Sequence, residues 1–196
     1  MNDARLERWL DDLLATPGLT AIRERDEAWA MLVEDALRGV AVLERFDGPI
    51  VDVGSGGGSP GLPAAAALPD REVTLLEANA RKAQFLGRVA AGFPNVTVVR
   101  GRAEEQGTDR FGAALAKALA SPPVALEWAL TLVRPGGAAV LWLGPSADLG
   151  QLARVAEQLG GGPPEQQAGL AVVPKIRPTP AGFPRRPGVA RKRPLA

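Results

Sequence analysis

The chain has 196 residues, enough for one domain with a buried core. It contains no Cys, His or Tyr. That excludes disulfide frameworks, Cys/His zinc sites, Cys nucleophiles, Ser-His-Asp triads and any imidazole base, leaving carboxylates, Lys, Arg, the backbone or a cofactor to carry chemistry. The formal charge is only +1, but Lys175–Ala196 hold seven basic and no acidic residues, leaving 16 basic against 22 acidic, a net −6, in the rest.

In chain order, the opening MNDARLERWLDD is charged from the start and has no apolar segment of the signal-peptide kind. Leu6, Trp9, Leu10, Leu13 and Leu14 recur at helical spacing, and Thr16-Pro17-Gly18 breaks the helix. A second helix is predicted over Asp26–Glu44, with Trp29, Leu32, Val33, Ala36, Leu37, Val40 and Leu43 as its apolar stripe. From Pro49 the pattern changes. Ile50–Val53 is a short apolar strand running into a glycine-rich stretch, followed by a helix over Pro60–Leu68 with Pro60 in its first turn.

Val73–Leu76 is a second strand ending at Glu77, and Asn79 is a helix cap with Phe85, Leu86 and Val89 facing inward. Val96–Val99 and Gly112–Ala116 are the third and fourth strands. Pro122 opens a helix carrying Leu126, Trp128 and Leu130. Arg134–Gly137 reads as a turn, Ala138–Leu143 as the fifth strand, Asp148–Leu159 as a helix and Leu170–Val173 as the last strand. Short apolar strands alternating with helices predict an α/β fold with a mostly parallel sheet covered on both faces. The expected organisation is an N-terminal helical segment over 1–48, a Rossmann-like core over 49–174 and a basic tail over 175–196. Leu62–Leu68, the longest apolar stretch, is too short to span a bilayer.

The most informative segment is Asp52-Val53-Gly54-Ser55-Gly56-Gly57-Gly58-Ser59. It follows the first strand, where open α/β sheets bind ligands and glycines let the backbone approach closely. Glu77 follows Gly54 by 23 residues at the end of the second strand, a place where a carboxylate accepts ribose hydroxyls. From Gly56 the loop also fits the dinucleotide pattern through Gly61, but Pro60 then falls where a helix would offer N–H groups to pyrophosphate, and Asp52 goes unexplained. Asp52 with Gly54, Gly56 and Gly58 suits a ligand bearing an amino group and a sulfonium. The reading favours S-adenosyl-L-methionine, with a dinucleotide as the alternative.

These residues resemble the RsmG (GidB) family of bacterial small-subunit rRNA methyltransferases, which modify N7 of a guanine. The resemblance covers about 19–195 and is carried by DVGSGGGSPGLP at Asp52–Pro63, VTLLEANARKAQFL at Val73–Leu86, NVTVVRGRAEE at Asn95–Glu105 and IRPTPAGFPRRPG at Ile176–Gly188. It implies a class I methyltransferase fold, with Gly54 and Ser59 lining the cofactor, Glu77 on the ribose and Ala103 and Glu104 on the adenine side. Lys117 stands where the family has an Arg near the methyl-transfer site, which implies a cofactor contact for it as well.

The chain departs from the family on the substrate side. The family's HxxDS is Asp35–Gly39 here, its SRA is Ala116-Lys117-Ala118, and its Lys at the end of the fifth strand is Leu143. A divergent class I methyltransferase with another substrate, or a non-catalytic RNA-binding relative, are therefore the alternatives.

Guanine N7 is a lone pair without a proton to remove, so the chemistry needs alignment and water exclusion but no base. Lys117 and Asp35 are the candidate catalytic residues: Lys117 to guanine O6 or phosphate, Asp35 to the cationic product. Arg185 and Arg186 in the basic tail are candidate RNA contacts. The expected partner is rRNA or the small ribosomal subunit, with no membrane and no metal, for a monomer in the cytoplasm.

Overall fold

The computed structural model describes residues 3–144 and 147–195; the first two residues of the N-terminal segment and the last of the tail lie outside the described residues. Helix α1 (Ala4–Ala15) starts at Asp3, whose carboxylate accepts from Arg5 N at 2.9 Å, and it buries Leu6, Trp9, Leu10 and Leu13. The predicted second helix is a broken rod. Helix α2 (Arg25–Trp29) passes through a π-helical turn (Ala30–Glu34) into α3 (Asp35–Leu37), and α4 (Val40–Leu43) follows Gly39. The glycine at the last junction has a packing reason: a Cβ on Gly39 would lie 2.8 Å from the Trp142 ring. π-Turns inside helices are frequent at functional sites, and here the carbonyls of Met31 and Leu32 accept from Lys117 Nζ and Ser59 Oγ.

The sheet comprises β1 (Ile50–Val53), β2 (Val73–Glu77), β3 (Val96–Arg100), β4 (Phe111–Ala116), β5 (Val133–Trp142), β6 (Glu165–Gln167) and β7 (Leu170–Pro174). Their order is β3-β2-β1-β4-β5-β7-β6. The first five pair in parallel, and β7 is antiparallel to both β5 and β6. Strand side chains alternate faces, so Ile50, Ala113, Val140 and Val172 join one core cluster while Val51, Ala114, Leu141 and Val173 join the other.

The first cluster is covered by α1, the 25–43 helices, α5 (Gly61–Ala67) and α6 (Ala80–Val89). The second is covered by α7 (Pro122–Leu132), α8 (Leu149–Gln158) and a short C-terminal α9 (Val189–Lys192). Asn79 caps α6 as expected, accepting from Arg81 N and Lys82 N. Pro60 is the residue before α5, one place earlier than expected.

Two expectations need correction. Arg134–Gly137 is not a turn but a bulged stretch of β5, which pairs Val133 with Phe111 and resumes at Ala138. Gly137 permits it, since a Cβ there would lie 2.2 Å from the Gly112 carbonyl oxygen. The sheet also has one strand more than predicted: β6 is polar and partly exposed at an edge, so it carries no apolar signal.

Candidate active site

All parallel strands end on one side of the sheet, and the glycine loop emerges there from β1. Gly54, Gly56 and Gly58 have φ of 71°, 57° and 113°, values that disfavour any side chain. Space is tightest at Gly54, where a Cβ would lie 2.2 Å from Leu119 Cδ1. The loop is held from three sides. The Gly56 N–H donates to Glu77 Oε2 at 2.9 Å, Trp9 Nε1 donates to the Gly57 carbonyl at 2.7 Å, and Ser59 Oγ donates to the Leu32 carbonyl at 2.7 Å. The clamp from Trp9 carried no motif signal; its apolar spacing assigned it to the core, where its ring also lies.

Glu77, 8% exposed, takes one backbone N–H on each oxygen, from Gly56 and from Asn79 at 2.7 Å. Each carboxylate oxygen therefore keeps a second lone pair for a ligand. Glu77 lines a cleft with Gly54, Lys82, Ala103, Glu104, Leu119, Trp128 and, from the tail, Arg191. Four of the sequence-derived cofactor residues, Gly54, Glu77, Ala103 and Glu104, thus meet on one cleft. Ala118, also on its wall, has φ of 51° without being a glycine, a strained backbone of the kind that collects at functional sites.

Asp52 and Ser59 are placed otherwise. The Asp52 side chain does not line the cleft. It is buried beneath the loop, with Oδ2 accepting from Gly61 N at 3.0 Å at the start of α5 and Oδ1 without a partner. Burial pushes its pKa up to about 7, a rise the Gly61 N–H only partly offsets. The expectation that Asp52 meets the ligand amino group is replaced by a role in shaping the loop. The Ser59 hydroxyl is likewise committed to the helix carbonyl, and neither Gly56 nor Gly58 lines the cleft.

Asp35 and Lys117, distant in sequence, do meet: Lys117 Nζ lies 2.6 Å from Asp35 Oδ2. Arg38 pairs with the other oxygen of Asp35, and Trp142 Nε1 donates to the Asp35 carbonyl at 3.0 Å. Lys117 follows β4 directly, so it stands at the same end of the sheet as the glycine loop.

The tail is largely an element of the fold. Lys175 is fully buried, its ammonium donating to the carbonyls of Leu130 and Leu159 at 2.9 Å and to Thr179 Oγ1 at 2.7 Å. Arg185 forms a two-pronged pair with Glu127, whose side chain is 3% exposed, and its remaining branch donates to the Arg193 carbonyl. The structure gives Arg185 an intramolecular role in place of the expected RNA contact: each of its three guanidinium nitrogens donates within the chain. Arg186 is exposed.

A sheet ordered 3-2-1-4-5-7-6 with a glycine loop after β1 and an acid ending β2 defines a class I methyltransferase fold. The precorrin-6y C5,15-methyltransferase of Geobacter metallireducens GS-15 shares it, with TM-score 0.54 at 16% identity over 83% of this chain and 93% of that one. The chain belongs to the GidB family, described as rRNA small subunit methyltransferase G, whose model matches residues 5–156. It is similar to the ribosomal RNA small subunit methyltransferase G of Moorella thermoacetica, at 36% identity over 90% of this chain and 82% of that one. The protein of the same name from Chloroflexus aggregans is 33% identical over 98% and 90%.

Proposed function

We propose that this chain transfers a methyl group from S-adenosyl-L-methionine to N7 of a guanine in small-subunit (16S) rRNA, in the cytoplasm. The observation that carries the reading is membership of the GidB family, in which curated relatives are named for small-subunit rRNA methylation. The cleft fits the cofactor. Gly54 leaves the wall free of a side chain, Glu77 keeps lone pairs for ribose hydroxyls, and Trp128 Nε1 is a buried N–H without a partner beside Ala103 and Glu104.

When bound, S-adenosylmethionine supplies a methyl group already activated by sulfonium charge. Guanine N7 has no proton to lose, so a chain without His, Cys or Tyr is sufficient. The residues of this chain hold and align the partners. Lys117 is assigned to guanine O6 or an adjacent phosphate, and Asp35, held between Lys117 and Arg38, to offsetting the positive charge of the methylated base. Among the described residues no helix is long and apolar enough to cross a membrane.

A second reading, a class I methyltransferase for another acceptor, is favoured by one observation. Asp35, Arg38 and Lys117 form a linked ion-pair set at the positions that differ from the family's usual residues. Incubation of small subunits, large subunits and free rRNA with methyl-labelled cofactor decides between them. Label confined to the small-subunit RNA is expected; no label in that RNA contradicts the proposal, and label in another RNA supports the second reading.

A further inference from the structure

The adenine end of the cleft is built partly from the C-terminal tail. Arg185 fastens the tail to Glu127 on α7, one residue before Trp128. Beyond that clasp, the Gly188 N–H donates to Glu104 Oε1 at 3.2 Å, Ala190 is buried in the second core cluster, and the Arg191 guanidinium lies 5.2 Å from the centroid of the Trp128 ring. Trp128 and Arg191 both line the cleft with Ala103 and Glu104. Trp128 is 7% exposed, and its indole N–H is buried with no acceptor. A buried donor left unpaired is costly, and a ligand acceptor removes that cost. Adenine offers ring nitrogens as acceptors and a π-face, so it suits both an N–H donor and a guanidinium placed over an aromatic ring.

We propose that Trp128 and Arg191 form a purine-recognition pair: the Trp128 N–H donates to a ring nitrogen of the cofactor's adenine, and Arg191 brings the tail over that end of the cleft. The inference rests on the cofactor reading above. It assigns part of the tail's positive charge to the cofactor and not to RNA, and it makes the last helix a component of the binding site.

The test is calorimetric titration of the full chain with S-adenosylhomocysteine, comparing wild type, Trp128→Phe, Arg191→Ala and Arg186→Ala. Trp128→Phe keeps a ring and removes the N–H, so a rise in Kd of about three- to tenfold is expected. Arg191→Ala is expected to raise Kd by roughly two- to fivefold, and Arg186→Ala to leave it unchanged. Unliganded melting temperatures separate lost binding from lost folding. Both variants should melt near wild type yet gain less from added ligand. Tight wild-type binding with unaltered Kd in Trp128→Phe and Arg191→Ala overturns this inference alone. Absence of wild-type binding overturns the cofactor reading and the inference together.

Discussion

Asp52 carries a titration that stability measurements can read. One of its oxygens has a single backbone donor and the other has none. Its pKa rises from 3.8 to about 7 on folding. Between those values the folded chain keeps a proton that the unfolded chain has released, so stability falls as pH rises from about 4 to 7 and levels off above. Asp52→Asn, near-isosteric and uncharged, is expected to flatten that profile. Denaturant midpoints at pH 5 and pH 8 check it, and parallel pH dependence in the two proteins contradicts it. Lys117 is the other residue with a separable effect. Lys117→Ala is expected to lower turnover by about a hundredfold through lost alignment, while the Kd for S-adenosylhomocysteine changes little. Equal losses in both would move Lys117 into the cofactor cleft. The sequence exposed both residues but not their settings. The acid-plus-glycine pattern marked Asp52 as a ligand contact, whereas its actual partner is the Gly61 N–H nine residues on.

At the scale of elements, α1 and the glycine loop act as one unit. Trp9 bonds the Gly57 carbonyl, and a Cβ at Gly57 would lie 2.7 Å from Leu13 Cδ1. Trp9→Phe orphans a carbonyl against the helix, at a cost of about 1–2 kcal/mol, and is expected to weaken cofactor binding without any contact to the ligand. Within the loop the glycines are unequal. Gly54→Ala meets Leu119 at its Cβ and has positive φ, whereas a Cβ at Gly56 meets only the Gly54 carbonyl oxygen at 3.7 Å. Gly56→Ala therefore carries only the left-handed backbone term, about 1–2 kcal/mol. Calorimetry is expected to rank Gly54→Ala as the more damaging; the reverse order contradicts the placement of Leu119 against the cleft wall. The buried strands β1, β2, β4 and β7 were legible because each is a short apolar run in which both faces meet core. The polar edge strand β6 and the Pro-Gly bulge in β5 were not. Their local residues carry turn and surface signals, and only pairing with distant strands makes them part of the sheet.

Across the whole molecule, the tail separates what charge composition shows from what packing decides. Seven cations without an acid read as an RNA-facing segment, yet the partners of Lys175 and Arg185 lie far back in the chain, at Leu130, Asp109 and Glu127. No local pattern shows a partner 58 residues away. Arg185→Ala leaves Glu127 buried and unpaired, so a loss of about 3–5 kcal/mol is expected, seen as a lowered melting temperature. Arg186→Ala is expected to leave melting unchanged and to reduce the salt slope of RNA binding by about one contact. Unchanged melting in Arg185→Ala would contradict the structural role of the clasp. The proposed function joins a class I methyltransferase cleft to an N7 acceptor in small-subunit rRNA. Its most direct test is to incubate unmodified small ribosomal subunits with the protein and S-adenosylmethionine, then cleave the 16S rRNA chemically at 7-methylguanine and map the break. A single cleavage at one guanine, dependent on both protein and cofactor, is the expected result; methyl label in the RNA with no such cleavage, or no label at all, would contradict it.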